Sequence, residues 1–304
     1  MKTTAPRSAA RRSGPARLAA VAAAALAATQ LAGCGLVGGS AGADAGGDKT
    51  ITLIATESAP FQEPLRIAAE SLAEDGWTLE TKFVTDIVQP NIAVANGEFD
   101  ASFFQHVAYL KQFNEDNNLD NEASFYVYGS PAGIYSATHD DIDGLPDGAK
   151  IALPVDPANN GRALKLLDRA GKLEVAEGKP VTHISQKDIL DNPHGYTFVE
   201  VDQQSLATTL PDVDAGFLFT RLAGELGLTT EQALLFEEED EQLPYRVVVS
   251  GKPGFKDSEK GEALRAALQS DEVREWFEGY IGGALPTPWD STPAEDLPKW
   301  AGGE

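Results

Sequence analysis

At 304 residues, with 42% hydrophobic side chains, the chain is long enough for one large domain or two ordinary ones, each with a real core. Its 24 basic and 47 acidic side chains leave a net charge of −23, a surface that repels nucleic acid and anionic headgroups and excludes both as electrostatic partners. A single cysteine, Cys34, excludes an intramolecular disulfide, and the four scattered histidines form no metal-ligand cluster.

Lys2, Arg7, Arg11, Arg12 and Arg17 make a basic head, and residues 18–28 form an unbroken small-apolar run too short to span a bilayer stably. Leu31-Ala32-Gly33-Cys34 follows at once. This order resembles the bacterial lipoprotein signal, in which the cysteine is acylated and becomes the first residue of the mature chain. The resemblance implies a signal peptide over residues 1–33 and lipidation at Cys34. Residues 34–49 are Gly/Ala-rich and read as a flexible tether.

Beyond the tether, residues 51–55 predict a strand. Residues 64–73 predict an amphipathic helix with Leu65, Ala68, Ala69 and Leu72 on one face, ended by Gly76. Residues 77–84 alternate as a second strand, and Pro90-Asn91 opens a short helix after a loop. Residues 98–102 predict a third strand, after which Phe103, His106, Tyr109 and Leu110 recur at helical spacing. The junction of such a strand and helix leaves backbone N–H groups free, beside two aromatic rings, an imidazole and a phenol. This rhythm of strands and helices argues for the α/β class, with a parallel sheet covered on both faces.

Residues 125–128 and 134–137 are extended around a Gly129-Ser130-Pro131 break. A second unit opens with a buried strand at 150–155, a polar turn over 156–161, and a helix over 162–170. Shorter elements fall at 187–190, 197–201 and 204–210. Residues 214–219 read as a buried strand, and 221–226 as a helical turn. The acidic run 237–241 reads as a solvated loop. Residues 245–250 form a β-branched strand, and 261–280 one long amphipathic helical region. The Pro-rich tail from Pro286 is expected to lie along the surface, and no internal repeat of fixed period is present.

Several segments in this order resemble the methionine-binding lipoprotein family of bacterial ABC importers: Gln89-Pro90-Asn91, residues 97–109 with Phe104-Gln105-His106, residues 132–136, and residues 154–162, with Asp191-Asn192-Pro193 as a weaker echo. The resemblance covers residues 51–280. It implies a two-lobed, periplasmic-binding-protein-like fold, each lobe a mixed, mostly parallel sheet flanked by helices, with the ligand cleft between lobes. The first lobe would comprise residues 50–130, completed by residues 241–304 with the tail, and the second residues 131–240.

By the same resemblance Phe104, His106, Tyr109, Asn159 and Arg162 match positions that contact a bound amino acid. The residues fit that chemistry: Arg162 offers a planar fork for a carboxylate, so that its loss would cost affinity and little stability. Phe103, Phe104 and Tyr109 offer an apolar slot suited to a thioether. Ile87 and Phe219 stand where the family commonly has a tyrosine and an asparagine, which removes a phenol and an amide and turns preference toward a ligand whose apolar part rests on Phe219. The implied protein is a lipid-anchored monomer on the extracytoplasmic face of the cell membrane. It would pass methionine or a related amino acid to a permease and its ATPase, with no cofactor, metal or catalysis. The alternatives are a binding lipoprotein for a different small molecule and a structural lipoprotein with a degenerate cleft. An enzyme is disfavoured, because the sequence contains neither a nucleophile elbow nor a phosphate loop.

Overall fold

A computed structural model describes residues 48–301; the basic head, the apolar run, Cys34 and nearly all of the tether lie outside them. Strand β1 (Thr50–Thr56) buries Ile51, Leu53 and Ala55 completely. Helix α1 (Ala59–Glu74) starts a turn earlier than the apolar spacing predicts, because Pro60 is pre-organised for the first turn. Its buried residues Phe61, Leu65, Ala68 and Leu72 fall on one face. Strand β2 (Thr78–Val84) returns parallel to β1, and α2 (Gln89–Asn96) ends at Gly97, whose φ of 77° is the left-handed C-cap that glycine supplies.

The next strand departs from expectation. Strand β3 (Ala101–His106) runs on through Phe103, and helix α3 (Val107–Asn117) begins only after His106. All six β3 residues are buried between β1 and a later antiparallel strand, so ladder hydrogen bonds on both edges override the helical spacing of the side chains. Strand β4 (Glu122–Gly129) completes the outgoing chain.

After Ser130-Pro131 the chain enters a second sheet with β5 (Ala132–Tyr135), β6 (Lys150–Pro154) and α4 (Pro157–Arg169). The expected polar turn at 156–161 is the start of α4. Asp156 is its N-cap, accepting a hydrogen bond from the Asn159 amide, and Pro157 follows at the first helical position. Asn159 and Arg162 are therefore one turn apart on the same helix. A Cβ on Gly161 would lie 2.0 Å from the Val181 carbonyl oxygen, so the glycine lets α4 sit directly against the turn at Val181–His183. The short pair β7 (Glu174–Val175) and β8 (Ile189–Asp191) is followed by β9 (Thr197–Val201), α5 (Leu206–Thr209), β10 (Ala215–Phe219), α6 (Thr220–Glu225) and β11 (Leu235–Phe236).

The chain then returns to the first sheet as β12 (Arg246–Gly251). The long helical region splits into α7 (Glu259–Leu268) and α8 (Asp271–Gly279), because Ser270 caps the second helix through the Val273 amide. The tail is packed more firmly than its proline content suggests. Trp289 Nε1 donates to the Val127 carbonyl at 2.7 Å, and α9 (Pro293–Ala301) buries Asp296 against Arg246 at 2.8 Å.

The two five-stranded sheets run β2-β1-β3-β12-β4 and β11-β5-β10-β6-β9, flanked by helices. Both are mixed rather than mostly parallel. β12 pairs antiparallel to β3 and β4, and β5 antiparallel to β10 and β11, because these are the strands on which the chain passes between sheets. The two passages lie side by side, with the Ser130 amide donating to the Tyr245 carbonyl at 3.3 Å.

Candidate ligand-binding cleft

The C-terminal end of β3 and the N-terminal end of α4 meet at one polar contact. His106 caps α3, its Nδ1 accepting from the Tyr109 amide at 3.0 Å. A ring nitrogen that accepts carries no proton, so Nε2–H is the donor to Asn159 Oδ1 at 3.1 Å. Asn159 is held in turn, since its backbone and side-chain N–H groups both donate to Asp156 Oδ1, at 3.0 and 2.8 Å. His106 is buried. Burial first, then the nearby Arg162 charge, push its pKa down to about 3, against a smaller upward pull from Asn159.

A slot of about 20 Å³ lies beside this contact, lined by Ile87, Phe104, Gln105, His106, Tyr109, Asn159 and Gln203. That volume holds about one water molecule. A β-bulge where Val248 and Val249 face β3 leaves Phe104 out of the ladder, and its ring packs edge-on to Tyr109 with centroids 6.0 Å apart. The Tyr109 hydroxyl donates to the Ile87 carbonyl at 3.0 Å, and burial, with Asp156 and Asp86 nearby, pushes its pKa further up so that it remains a donor. Beneath the slot Gln105 and Asn91 exchange side-chain amide hydrogen bonds at 2.6 and 2.8 Å, which accounts for Gln89-Pro90-Asn91 as a support.

Three expected site residues sit differently. Phe103 is fully buried and packs on Phe61 and Tyr128, at 4.9 and 6.3 Å between centroids; with β3 extended through this position it belongs to the core of the first sheet. Phe219 ends β10, packs edge-on to Phe217, and lies 5.8 Å from the Arg162 guanidinium carbon. Arg162 itself has no free fork. Its Nε and Nη2 grip both carboxylate oxygens of Glu237, Nη2 also donates to the Ser130 carbonyl at 2.7 Å, and Nη1 reaches Asn159 Oδ1 at 3.4 Å. The Tyr245 ring covers the guanidinium at 3.6 Å, and the two charged side chains are 1% and 2% exposed.

Glu237 thereby corrects the reading of its run as a solvated loop. Its carboxylate also accepts from the Ala132 amide at 2.9 Å, while its neighbour Glu241 pairs with Arg169. The sequence signal was faint: Glu237 directly follows Leu235-Phe236, and a side chain next to a paired strand is more readily buried than the middle of an acidic run. Asp156 was legible as an N-cap before Pro157, had the polar segment been read as a helix start.

A buried pair broken on one side leaves the other charge uncompensated, at about 3–5 kcal/mol. Arg162→Ala is therefore expected to lose that much stability by urea denaturation at pH 7, and Arg162→Met with Glu237→Leu to recover most of it. A loss below about 1 kcal/mol in the single variant contradicts the pair.

The histidine gives a pH test. The unfolded chain protonates it below pH 6.5, the folded chain only near pH 3, so its stabilisation is complete above pH 6.5 and is lost as the pH falls toward 3. The stability advantage of wild type over His106→Gln should shrink by about 1.4 kcal/mol per pH unit across that window. An advantage that does not change with pH contradicts a neutral, buried His106.

Comparison with known proteins sets this geometry in context. The family model described as NlpA lipoprotein matches residues 52–288. The methionine-binding lipoprotein MetQ of Bacillus subtilis is 33% identical over 255 residues, covering 82% of this chain and 92% of that relative. A nutrient binding protein from Burkholderia cenocepacia, solved bound to methionine, superposes with a TM-score of 0.73 at 29% identity over 78% of this chain and 99% of its own. An ABC transporter periplasmic substrate-binding protein from Coxiella burnetii gives 0.71 at 30% identity, covering 78% and 100%.

Proposed function

The chain belongs to the NlpA lipoprotein family, a non-enzymatic substrate-binding family, and from that premise we propose that it captures an amino acid, methionine or a related compound, and delivers it to an ABC permease and its ATPase. The observation that carries this reading is the family match across both sheets, residues 52–288. Family membership implies a lipid anchor on the extracytoplasmic side, and the anchor is read at Cys34. Lobes of residues 50–130 with 241–304, and of 131–240, would close on the ligand.

Phe104, His106, Tyr109 and Asn159 are proposed as ligand contacts because they come from opposite sides onto one slot. Arg162 acts beneath them, fixing Asn159. Ile87 lends the slot an apolar wall and Tyr109 a carbonyl partner, where a tyrosine would have offered the ligand a hydroxyl. A ligand group left without a partner in such a dry site forfeits about 1–3 kcal/mol. L-Methionine should therefore bind more weakly than the compound the protein carries in the cell.

Native mass spectrometry of freshly purified protein checks this. The expected result is a retained small molecule that L-methionine displaces only at high excess. A protein that retains nothing and gives no calorimetric response to any standard amino acid would favour the other reading, a structural lipoprotein with an emptied cleft, to which the 20 Å³ slot lends support.

A further inference from the structure

Five of the seven residues that line the slot are polar, and four of those five are already engaged within the protein. Gln105 is bonded to Asn91 and Ser250. His106 uses both ring nitrogens, and the Tyr109 hydroxyl donates to the Ile87 carbonyl. Asn159 is tied to His106, Asp156 and Arg162. The fifth is Gln203, whose side chain has no hydrogen-bond partner among the described residues. A carboxamide carries two N–H donors and a carbonyl acceptor, so Gln203 brings to the slot a bonding capacity that no protein group uses.

Local structure explains its position. Strand β9 ends at Val201, which pairs with Pro154 of β6, and the Val155 amide donates to the Val201 carbonyl at 2.9 Å. Strand β6 leads directly to Asp156, the N-cap of α4, so the residues after Val201 run beside the helix that carries Asn159. A short helical turn, Gln203–Ser205, follows at once. It is pinned by the Ser205 amide on the Asp202 carbonyl at 2.8 Å, and by Leu206, which is buried in the core of the second sheet. Asp202, Gln204 and Ser205 are exposed, and Gln203 alone of the four is half-buried and lines the slot.

The other walls define what this amide can select. Ile87, Phe104 and Tyr109 give the slot the apolar surface on which a ligand side chain rests. None of the lining side chains is charged at neutral pH, since His106 titrates only near 3. An ionised ligand side chain would lose its hydration there with no opposite charge among the lining residues. An alkyl side chain would strip water from the Gln203 amide and return no hydrogen bond. An uncharged side chain with a hydrogen-bonding group near its end avoids both costs.

We propose that Gln203 is a specificity-determining residue of the cleft: its carboxamide hydrogen-bonds the side chain of the captured amino acid. It thereby selects a side chain ending in an uncharged polar group, a sulfoxide or a carboxamide, over an alkyl chain of similar length. The proposal rests on the amino-acid-capture reading above and narrows the ligand to that class. Gln203 adds to the contacts of Phe104, His106, Tyr109 and Asn159 and displaces none of them.

Calorimetry with L-methionine sulfoxide, L-glutamine and L-norleucine tests this on wild type, Gln203→Leu and Gln203→Ala. Wild type should bind the sulfoxide or glutamine about 3- to 12-fold more tightly than norleucine, the worth of one neutral hydrogen bond, and the tighter of the two tells sulfoxide from carboxamide. Gln203→Leu should erase that preference by weakening the polar probes while norleucine binds as well or better. Gln203→Ala should erase it too, without giving norleucine a new contact. Both variants should melt as wild type does, because no protein group loses a partner. A preference that survives in both variants, a wild type that favours norleucine, or an equal weakening of all three probes overturns the proposal and leaves amino-acid capture standing. A clear fall in melting midpoint in both variants also overturns it, since that marks a structural role. If wild type binds none of the three and does not respond to L-methionine, the proposal and the capture reading fall together.

Discussion

The buried pair of Arg162 and Glu237 lies at the point where both passages between the sheets converge. Ser130 and Ala132 on the outgoing passage, and Glu237 and Tyr245 on the returning one, all touch it. Desolvating two charges is costly, and attraction between them compensates only when the geometry is good and the remaining donors are satisfied. Both conditions hold here. The bidentate contact, the Ser130 carbonyl and the Tyr245 ring leave the guanidinium little freedom, and Arg162 in turn fixes Asn159, the residue that reaches across to His106.

That chain of contacts explains why the cleft is polar yet offers no cation at its centre. The His106 imidazole is kept neutral, Asp156 is occupied with the α4 N-terminus, and the positive charge that the sequence places at Arg162 is matched internally. The slot is therefore walled by neutral hydrogen-bonding groups and aromatic rings. The Phe219 ring lies within 6 Å of both buried guanidinium carbons, at 5.8 Å from Arg162 and 5.6 Å from Arg221.

Much of the fold was legible because its signals are local. The apolar spacing of α1, the β-branched run of β12 and the Pro90-Asn91 opening of α2 each named their element from nearby residues alone. The errors share a physical cause, a partner distant in sequence. Phe103 has helical spacing to His106, yet β3 is fixed by strands some 50 residues before it and 150 after it. Glu237 sits in an acidic run, yet its surroundings are decided by Arg162, 75 residues away. The slot was legible in part for the same reason: the order of motifs singled out Phe104, His106, Tyr109 and Asn159, which the fold brings together, but no pattern along the chain reveals that the Arg162 fork is already filled.

A crystal structure of the protein with the compound it carries through purification bears most directly on this arrangement. The bound molecule should lie against His106, Asn159, Phe104 and Tyr109, with the Arg162–Glu237 pair intact. A ligand acid seated on Arg162, with Glu237 displaced from it, would contradict the assignment of that arginine to the fold and return it to the ligand.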